Sequence, residues 1–306
     1  MREAPGFVSA GDVLAVVRSH WAVEVDAVEH LPVGFGAYHW RGSYGGVARV
    51  FVTLDGLEPR HSVESLEGAY AGAAQLAASG LEFVVASLPT RDGVFTASLA
   101  DGRISCAPWL EGKATGEGPI GSEDLARQNV AALSRLHAAT PPSGIPKWRP
   151  LVGEDFADSL SELLRDTWRT GPYGERAHRA VGERLEAIRR WTASYHALGR
   201  QARERPWVPT HGEPHTVNQV RTDDEVVFVD WESLALAPRE RDLRSLVDAG
   251  YADLVAPDRD MLRLFDLEWR LDEISQYATW FSQPHTGTAN DQVAFTGLLE
   301  ELARPD

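Results

Sequence analysis

The chain has 306 residues, 43% of them hydrophobic and 25% charged, so the sequence predicts a sizeable packed core. Its formal net charge of −15 at pH 7 argues against general binding to nucleic acids or anionic membranes and favours a cationic ligand, although acidity also serves solubility. The chain has a single cysteine, Cys106, which cannot form an internal disulfide. The sequence also shows no cleavable signal pattern and no run of about 18 apolar residues. These features predict a cytoplasmic protein.

The first hundred residues are predicted to be rich in strands. Residues 23–31 alternate apolar and polar side chains, and a turn containing Gly34 and Gly36 leads into a second strand. A third strand is predicted over residues 47–54, where Arg49 faces the side opposite to the apolar, even-numbered residues.

A helix is predicted to follow, because Ser62 can cap its N-terminus and apolar residues then recur at helical spacing as far as Gly80. Two further strands are predicted over residues 83–88 and 102–107. These elements make up a small β-rich lobe over residues 1–107.

Beyond Cys106 the pattern becomes helical. Helices are predicted over residues 124–139, 156–168, 174–203 and 260–281. We therefore expect an α+β fold of two lobes, in which residues 108–306 form a larger, mainly helical lobe.

The most informative segment extends from residue 208 to residue 232. Phosphoryl transfer needs a carboxylate that orients the attacking hydroxyl, and oxygen ligands that hold magnesium against the phosphates. Glu213 is followed five residues later by Asn218 and then by Asp230. Residues 222–225 can turn between two short strands, which brings Asn218 and Asp230 to one end of a hairpin. This spacing predicts a phosphotransferase site.

The same segment resembles the signature of the aminoglycoside phosphotransferases and the related choline kinases. In that family, a His-Gly-Asp-x-His-x-x-Asn loop precedes an Asp-Trp-Glu or Asp-Phe-Glu segment. The corresponding residues are His211, Gly212, Glu213, His215, Asn218, Asp230, Trp231 and Glu232. The resemblance extends to His137, in a Leu-x-x-Leu-His helix, and to Asp242, in a Pro-x-x-x-Asp-Leu element.

The resemblance implies a protein-kinase-like fold that uses ATP or GTP together with Mg²⁺. The residues implied to bind the nucleotide are Gly34 and Gly36, over the phosphates, and Ala107 and Trp109, at the crossover beside adenine. Asn218 and Asp230 are implied to be magnesium ligands. In the implied catalytic loop, His211 is expected to brace the backbone, whereas His215 is either a brace or a base.

Glu213 departs from the family pattern, which has Asp at this position. Glutamate has the same carboxylate and one more methylene. It can therefore serve as the base if the backbone of the loop lies slightly farther from the reacting hydroxyl. A misplacement of about 1 Å can lower a rate roughly a hundredfold. Glu213 is therefore either a tuned base or a weakened one.

The second departure is a missing lysine. Kinase folds place a lysine on the third strand against the phosphates, but this chain has no lysine before Lys113, and Thr53 occupies that position. We hypothesise that Arg49 supplies the charge, with Glu64 or Glu67 as its carboxylate partner. The alternative is that Arg49 is an ordinary surface arginine.

The acceptor is expected to bind near the C-terminal helices. Glu268 and Asp272 lie four residues apart on one helix face and invite a cation, and Trp269 can stack on a sugar or a cationic group. Alternatively, Arg270 and solvent balance these charges. Asp242 either braces the active-site loops or touches the acceptor.

The sequence thus predicts a small-molecule phosphotransferase acting on a hydroxylated, cationic acceptor such as an aminoglycoside-like antibiotic, which would make it a resistance enzyme. A housekeeping kinase for a sugar or an amino alcohol is the alternative within the same class. A non-catalytic, kinase-like nucleotide- or ligand-binding protein is the alternative outside it, because of Thr53 and Glu213. The sequence does not indicate the oligomeric state.

Overall fold

The structure is a computed structural model that describes residues 1–57, 60–114, 116, 118–222 and 226–305. The chain forms two compact units, one comprising Met1–Trp148 and Trp207–Pro257 and the other Arg149–Pro206 and Asp258–Asp306. The predicted lobe boundary after residue 107 lies within the first unit, and the division into those two lobes stays a prediction.

A five-stranded antiparallel sheet forms the N-terminal part of the first unit. Its strands are β1 (Ala27–Leu31), β2 (Tyr38–Tyr44), β3 (Val47–Asp55), β4 (Thr96–Leu99) and β5 (Gly102–Pro108), in the order β1-β2-β3-β5-β4. Gly45 and Gly46, both with positive φ, close the turn between β2 and β3. The strands predicted over residues 47–54 and 102–107 are confirmed, whereas the first strand begins later than predicted.

One face of this sheet is covered by a helix that the sequence pattern did not predict, α1 (Ala10–His20). Ser9 and Asp12 form a capping box at its N-terminus. Val13 and Val17 are fully buried in a cluster with Val50, Val52 and Leu54 of β3. The predicted alternation of β3 is therefore confirmed.

The opposite face of β3 carries Phe51, Thr53 and Asp55. The predicted helix after Ser62 is confirmed as α2 (Val63–Ala78), capped by the Ser62 side chain. From α2, the Tyr70 hydroxyl donates a hydrogen bond to Asp55 Oδ2 at 3.1 Å. This contact ties the end of β3 to the helix.

The prediction of a strand over residues 83–88 is wrong. This stretch forms only an isolated parallel bridge between Val84 and Phe228. The Val85 N–H donates to the Phe228 carbonyl, and the Phe228 N–H donates to the Phe83 carbonyl. Phe83 and Val84 are buried, and a short apolar run does not distinguish a buried strand from a buried extended connection.

The remaining part of the first unit contains short strands packed near one helix, α3 (Glu123–Ala138). The strands are β6 (Lys113–Ala114), β7 (Val208–Thr210), β8 (Gln219–Arg221), β9 (Val226–Phe228) and β10 (Ala235–Ala237). β8 and β9 form the predicted hairpin, and residues 223–225 of its predicted turn lie outside the described residues. β7 pairs with β10, so the segments before and after the hairpin are joined. The short helix α6 (Arg244–Asp248) follows.

The second unit is helical. Its helices are α4 (Phe156–Leu163), α5 (Gly174–Ala202), α7 (Arg259–Ser282) and α8 (Ala289–Ala303). α4 ends earlier than predicted, because the chain folds back and the Trp168 indole donates to the Leu163 carbonyl at 3.1 Å. α8 was not predicted. Across the described ranges, no helix has the length and hydrophobicity needed to cross a membrane.

Candidate active site

The hairpin connects the three residues of the predicted phosphotransfer motif. Glu213 lies in the loop after β7, Asn218 immediately precedes β8, and Asp230 follows β9. The Asn218 side-chain amide donates to the Glu213 carbonyl at 3.1 Å. The Asn218 carbonyl accepts a hydrogen bond from the Val229 N–H at 3.0 Å. Asn218 is therefore bonded through its side chain to the loop of Glu213 and through its backbone carbonyl to the strand end that carries Asp230.

Asp230 has an unusual backbone conformation, with φ at 64°. Non-glycine residues rarely adopt this left-handed conformation, which persists where the surrounding structure imposes it, often at functional sites. The Asp230 side chain is exposed. Desolvation by the surrounding protein and repulsion from Glu232 and Glu213 raise the pKa of Asp230 well above its usual value. A bound cation would relieve this repulsion.

Glu213 is ionised at neutral pH. Burial opposes its charge, but the contact with His215 and the charges of Arg60, His215 and Arg241 lower the pKa of Glu213 to about 2. His215 Nε2 lies 3.6 Å from one carboxylate oxygen, and Arg60 Nη1 lies 3.9 Å from the other. About a quarter of the Glu213 side chain is exposed, so a hydroxyl can reach it. His215 thus contacts the carboxylate directly.

The predicted bracing role of His211 agrees with its surroundings. Its side chain is completely buried, Nε2 lies 2.9 Å from the Val229 carbonyl, and Nδ1 accepts the Glu213 N–H at 3.3 Å. The Nε2 atom therefore carries the proton. Burial lowers the pKa of His211 to about 4, so the ring is neutral at pH 7. Both nitrogens of the neutral imidazole are engaged within the protein, which favours the bracing role, and that role stays a prediction.

Asp242 is occupied within the protein. One carboxylate oxygen accepts the backbone N–H of His211 at 3.0 Å and lies 2.9 Å from His137 Nε2, while the other accepts the Gly212 N–H at 2.7 Å. Burial opposes its charge, but the contacts with His137, Gly212 and His211 lower the pKa of Asp242. Its side chain is fully buried. These contacts favour the bracing alternative for Asp242, and its contact with an acceptor stays a prediction.

A second cluster of carboxyl groups, formed by Asp55, Asp230 and Glu232, lies at the end of β3. His61 Nε2 lies 3.7 Å from a Glu232 oxygen. Burial and the nearby charges of Glu232 and Asp230 raise the pKa of Asp55 well above its usual value. Burial also opposes the charge of Glu232, but the contact with His61 lowers the pKa of that group. These contacts place the end of the third strand and His61 beside the segment that follows the β8–β9 hairpin.

The predicted nucleotide-binding residues lie on one region of the sheet. Gly34 and Gly36 have positive φ in the connection between β1 and β2, as a tight turn requires. Ala107 lies near the end of β5 opposite Phe51, and the Trp109 N–H donates to the backbone of β3 at 3.1 Å. Thr53 is buried, and its hydroxyl lies 3.2 Å from the ring of His39. Adenine binding at this crossover stays a prediction.

The structure does not form the ion pair predicted between Arg49 and a glutamate of α2. Glu67 instead accepts the Phe95 N–H and the Thr96 N–H at 2.7 and 2.8 Å, and so bonds α2 to the start of β4. Glu64 is exposed in the first turn of α2. Arg49 is exposed near the crossover, where its carbonyl binds Trp109. Arg49 is about 20 Å along the strand from Asp55, given the usual rise per residue.

The predicted acceptor residues lie on α7, in the second unit. Glu268 and Asp272 are buried. Glu268 accepts the Tyr195 hydroxyl at 2.5 Å, and Asp272 accepts the Gln276 amide at 2.8 Å. Trp269 is half-buried. Arg270 is buried over the Trp191 ring, 4.5 Å from its centroid. The carboxylates are therefore built into the unit, and their contact with an acceptor stays a prediction.

Sequence reasoning missed four residues of this site, namely Asp55, Arg60, His61 and Tyr70. Asp55 ends an apolar strand, which is a weak signal for a site residue. Arg60 and His61 lie in a connection with no recognisable motif, and nothing in their spacing links them to Glu213.

The residues near Asp230 suit a hard cation. The donor set contains the Asp230 carboxylate and the Asn218 amide oxygen, whose partner nitrogen already donates to Glu213, and oxygen ligands are those that Mg²⁺ prefers. Within the described ranges, no three His, Cys, Asp or Glu side chains are arranged to hold a metal by themselves. The residues fit an ion that is bound mostly by phosphates and water.

This combination of sheet, hairpin and helices is the protein-kinase-like fold of small-molecule phosphotransferases. The spectinomycin phosphotransferase APH(9)-Ia, solved in complex with ADP and spectinomycin, has a TM-score of 0.71 at 16% identity, with 97% of this chain and 95% of that chain covered. A microcompartment-associated aminopropanol kinase has a TM-score of 0.60 at 13% identity, with 95% of each chain covered. The predicted fold class is confirmed.

The family follows from sequence similarity. The profile of the phosphotransferase enzyme family, APH, matches residues 31–277. Protein StrN of Streptomyces griseus is 31% identical over 297 residues, which cover 92% of this chain and 88% of that protein. The chain belongs to the phosphotransferase enzyme family. The resemblance seen in the motifs and the predicted enzyme class, a small-molecule kinase that phosphorylates a hydroxyl group, are therefore confirmed.

Proposed function

We propose that this protein is a Mg²⁺-dependent phosphotransferase that moves the γ-phosphoryl group of ATP or GTP to a hydroxyl of a small cationic molecule. The observation that carries the proposal is the hairpin that ties Glu213, Asn218 and Asp230 together, with Glu213 ionised and partly exposed. Family membership supports the reaction class.

Glu213 orients the attacking hydroxyl and accepts a hydrogen bond from it. Because the pKa of Glu213 is about 2, it is a weak base toward a free alcohol. It takes the proton late, once the new bond between oxygen and phosphorus has made the hydroxyl acidic. That bond forms as the bond from the γ-phosphorus to the bridging oxygen breaks, and the electron pair leaves with the nucleoside diphosphate.

Asn218 and Asp230 are the proposed ligands of Mg²⁺. When bound, the ion neutralises charge on the phosphate oxygens. The protein's own contribution is the backbone geometry, because the left-handed conformation of Asp230 and the hydrogen bonds of Asn218 hold both oxygen ligands at the hairpin end.

The acceptor proposed is cationic, and an aminoglycoside-like antibiotic is the leading class. The net charge of −15 supports a positively charged substrate. Glu268 and Asp272, four residues apart on α7, are the proposed contacts, together with Trp269. One structural relative was solved with spectinomycin. An amino alcohol is the second candidate, because another relative is an aminopropanol kinase.

The test is calorimetric titration of ATP and of GTP, each with and without Mg²⁺, into the wild type and into Asp230→Asn. Asparagine tolerates the left-handed backbone, so this variant is expected to fold. We expect tight binding only when both Mg²⁺ and Asp230 are present. A screen of aminoglycosides, spectinomycin-like compounds and amino alcohols would then identify the acceptor from nucleotide turnover.

The alternative of a non-catalytic, kinase-like binding protein, raised by Thr53 and Glu213, is not supported, because the chain belongs to a family of phosphotransferases. Nucleotide binding without turnover for any acceptor of the screen would contradict the proposed acceptor class. Absence of nucleotide binding by the wild type would contradict the proposed use of ATP or GTP.

A further inference from the structure

The active site has a large excess of negative charge. It contains the carboxyl groups of Asp55 at the end of β3, Glu213 in the loop after β7, and Asp230 and Glu232 after β9. A nucleoside triphosphate adds further negative charge. A protein cation is therefore needed at the phosphates, because preorganised charge in a partly desolvated site stabilises the transferring group.

The lysine that usually supplies this cation is absent. The only lysines of the chain are Lys113 and Lys147, and neither lies on β3. β3 instead presents Thr53 and Asp55 on the face that leads to the hairpin. Arg49 is far along the strand from Asp55, so the charge has to come from another element.

Arg60 lies at the catalytic carboxylate. Its Nη1 atom is 3.9 Å from Glu213 Oε1, and 24% of its side chain is exposed. This distance is too long for a direct hydrogen bond, so the contact is an ion pair at the rim of the loop. Arginine carries five N–H donors in a planar fork, which suits simultaneous contact with a carboxylate and a phosphate.

The position of Arg60 is set by its neighbour. The His61 N–H donates to the Leu57 carbonyl at 2.8 Å, which fixes the backbone of His61 beside the end of β3. The His61 ring lies 3.7 Å from Glu232. Consecutive residues of this connection therefore face two carboxylates of the catalytic segment, which orients the Arg60 side chain toward Glu213.

Arg241, the other arginine beside Glu213, has a structural role. Its Nη1 atom donates to the Thr210 hydroxyl at 3.1 Å and to the Ser233 carbonyl at 2.8 Å. Its guanidinium also packs so closely over Gly212 that a β-carbon there would lie 2.6 Å away. Arg241 therefore stabilises the loop that carries Gly212 and Glu213.

We propose that Arg60 is a catalytic residue that binds the γ-phosphoryl oxygens in place of the missing strand lysine. An acceptor hydroxyl bound to Glu213 would lie about 3 Å from it, and the γ-phosphorus about 3 to 3.5 Å beyond that hydroxyl. A guanidinium 3.9 Å from Glu213 reaches this volume by a rotamer change. The inference rests on the proposed kinase function and adds the residue that recognises the donor phosphates.

The test compares Arg60→Gln with Arg244→Gln by calorimetric titration of MgATP, MgADP and AMP. Arg244 is a matched control, because its side chain is 28% exposed and pairs at 3.3 Å with Asp248 of the same helix, α6, which carries none of the proposed contacts. We expect Arg60→Gln to bind MgATP at least tenfold more weakly and AMP with unchanged affinity, since a hydrogen bond between charged groups is lost only at the terminal phosphates. Arg244→Gln should match the wild type for all three nucleotides.

Equal weakening of MgATP and AMP, or unchanged MgATP affinity, in Arg60→Gln would overturn the role of Arg60. If that variant does not fold, Arg60→Lys provides the test, and a selective loss of MgATP affinity over AMP is again expected because lysine lacks the fork. A wild type that binds none of the nucleotides would instead contradict the proposed function, so the two failures are distinguishable.

Discussion

The carboxylate of Asp242 accepts the backbone N–H of Gly212 at 2.7 Å, across 30 positions of the chain. The same group holds the His211 N–H and lies beside His137. The backbone of the loop that carries Glu213 is therefore held in place by hydrogen bonds to a buried carboxylate, and the geometry of the loop depends on that carboxylate.

Replacing Asp242 by Asn should weaken both stability and phosphoryl transfer. The side-chain NH₂ of asparagine would face backbone N–H groups that need an acceptor, so these buried groups would lose their hydrogen-bond partner. We expect this loss to lower the free energy of unfolding by about 2 to 4 kcal/mol. A loop displaced by about 1 Å would lower the rate roughly a hundredfold. Urea unfolding and turnover with the best acceptor of the screen measure the two effects. Asp248→Asn, at an exposed ion pair, is the control and should change little; an equally small effect at Asp242 would contradict the bracing role.

Glu213→Gln should abolish most turnover while nucleotide affinity is retained. The amide keeps the size of the side chain but cannot accept the hydroxyl proton, which corresponds to a loss of about 10²- to 10⁴-fold in kcat. Single-turnover assays and calorimetry separate the two quantities. Glu213→Asp is the informative companion, because it restores the family residue in a loop whose other contacts suit Glu. We expect it to be slower than the wild type, and a faster variant would show that Glu213 is a weakened base.

Glu67→Ala should reduce stability without changing nucleotide affinity. Glu67 accepts three hydrogen bonds from Phe95 and Thr96, and their loss is expected to lower the free energy of unfolding by about 1 to 3 kcal/mol. Glu64→Ala, three residues earlier on the exposed side of α2, should change little. A selective loss of MgATP affinity in Glu67→Ala would restore the hypothesis that this residue acts in phosphate binding.

Stability should fall as the pH is lowered from about 6.5 to about 4. Burial lowers the pKa of both His39 and His211 to about 4, whereas the unfolded value is about 6.5. Between these values the unfolded chain binds more protons, so acid favours unfolding, by up to about 3 kcal/mol for each histidine at pH 4. Urea unfolding at several pH values measures the slope. In the variant His39→Asn, the difference in bound protons between the unfolded and folded states should be smaller by up to one, so the dependence of stability on pH should be less steep. An unchanged slope would show that His39 is protonated in the folded state.

Much of the site was predictable because its residues are close together in the sequence. Glu213 lies in the loop just before the hairpin, and Asn218 and Asp230 flank its two strands. Strand alternation and turn chemistry place the last two at the same end of the hairpin. The helix after Ser62 was predictable for a similar reason, since a cap and a helical period are local signals. The strand predicted over residues 83–88 failed because Phe83 and Val84 pack against the hairpin from elsewhere in the chain.

By itself, the sequence determined the fold class, the enzyme family and the order of the motif residues, since these depend on local spacing and on motif similarity. Only the tertiary structure decided which groups surround them: His137 beside Asp242 across 105 positions, Arg60 beside Glu213, and His61 beside Glu232. Such pairs arise when separate elements pack against one another, and short-range periodicity carries no information about them. The protonation state of Glu213 was likewise decided by the cations that packing brings to it.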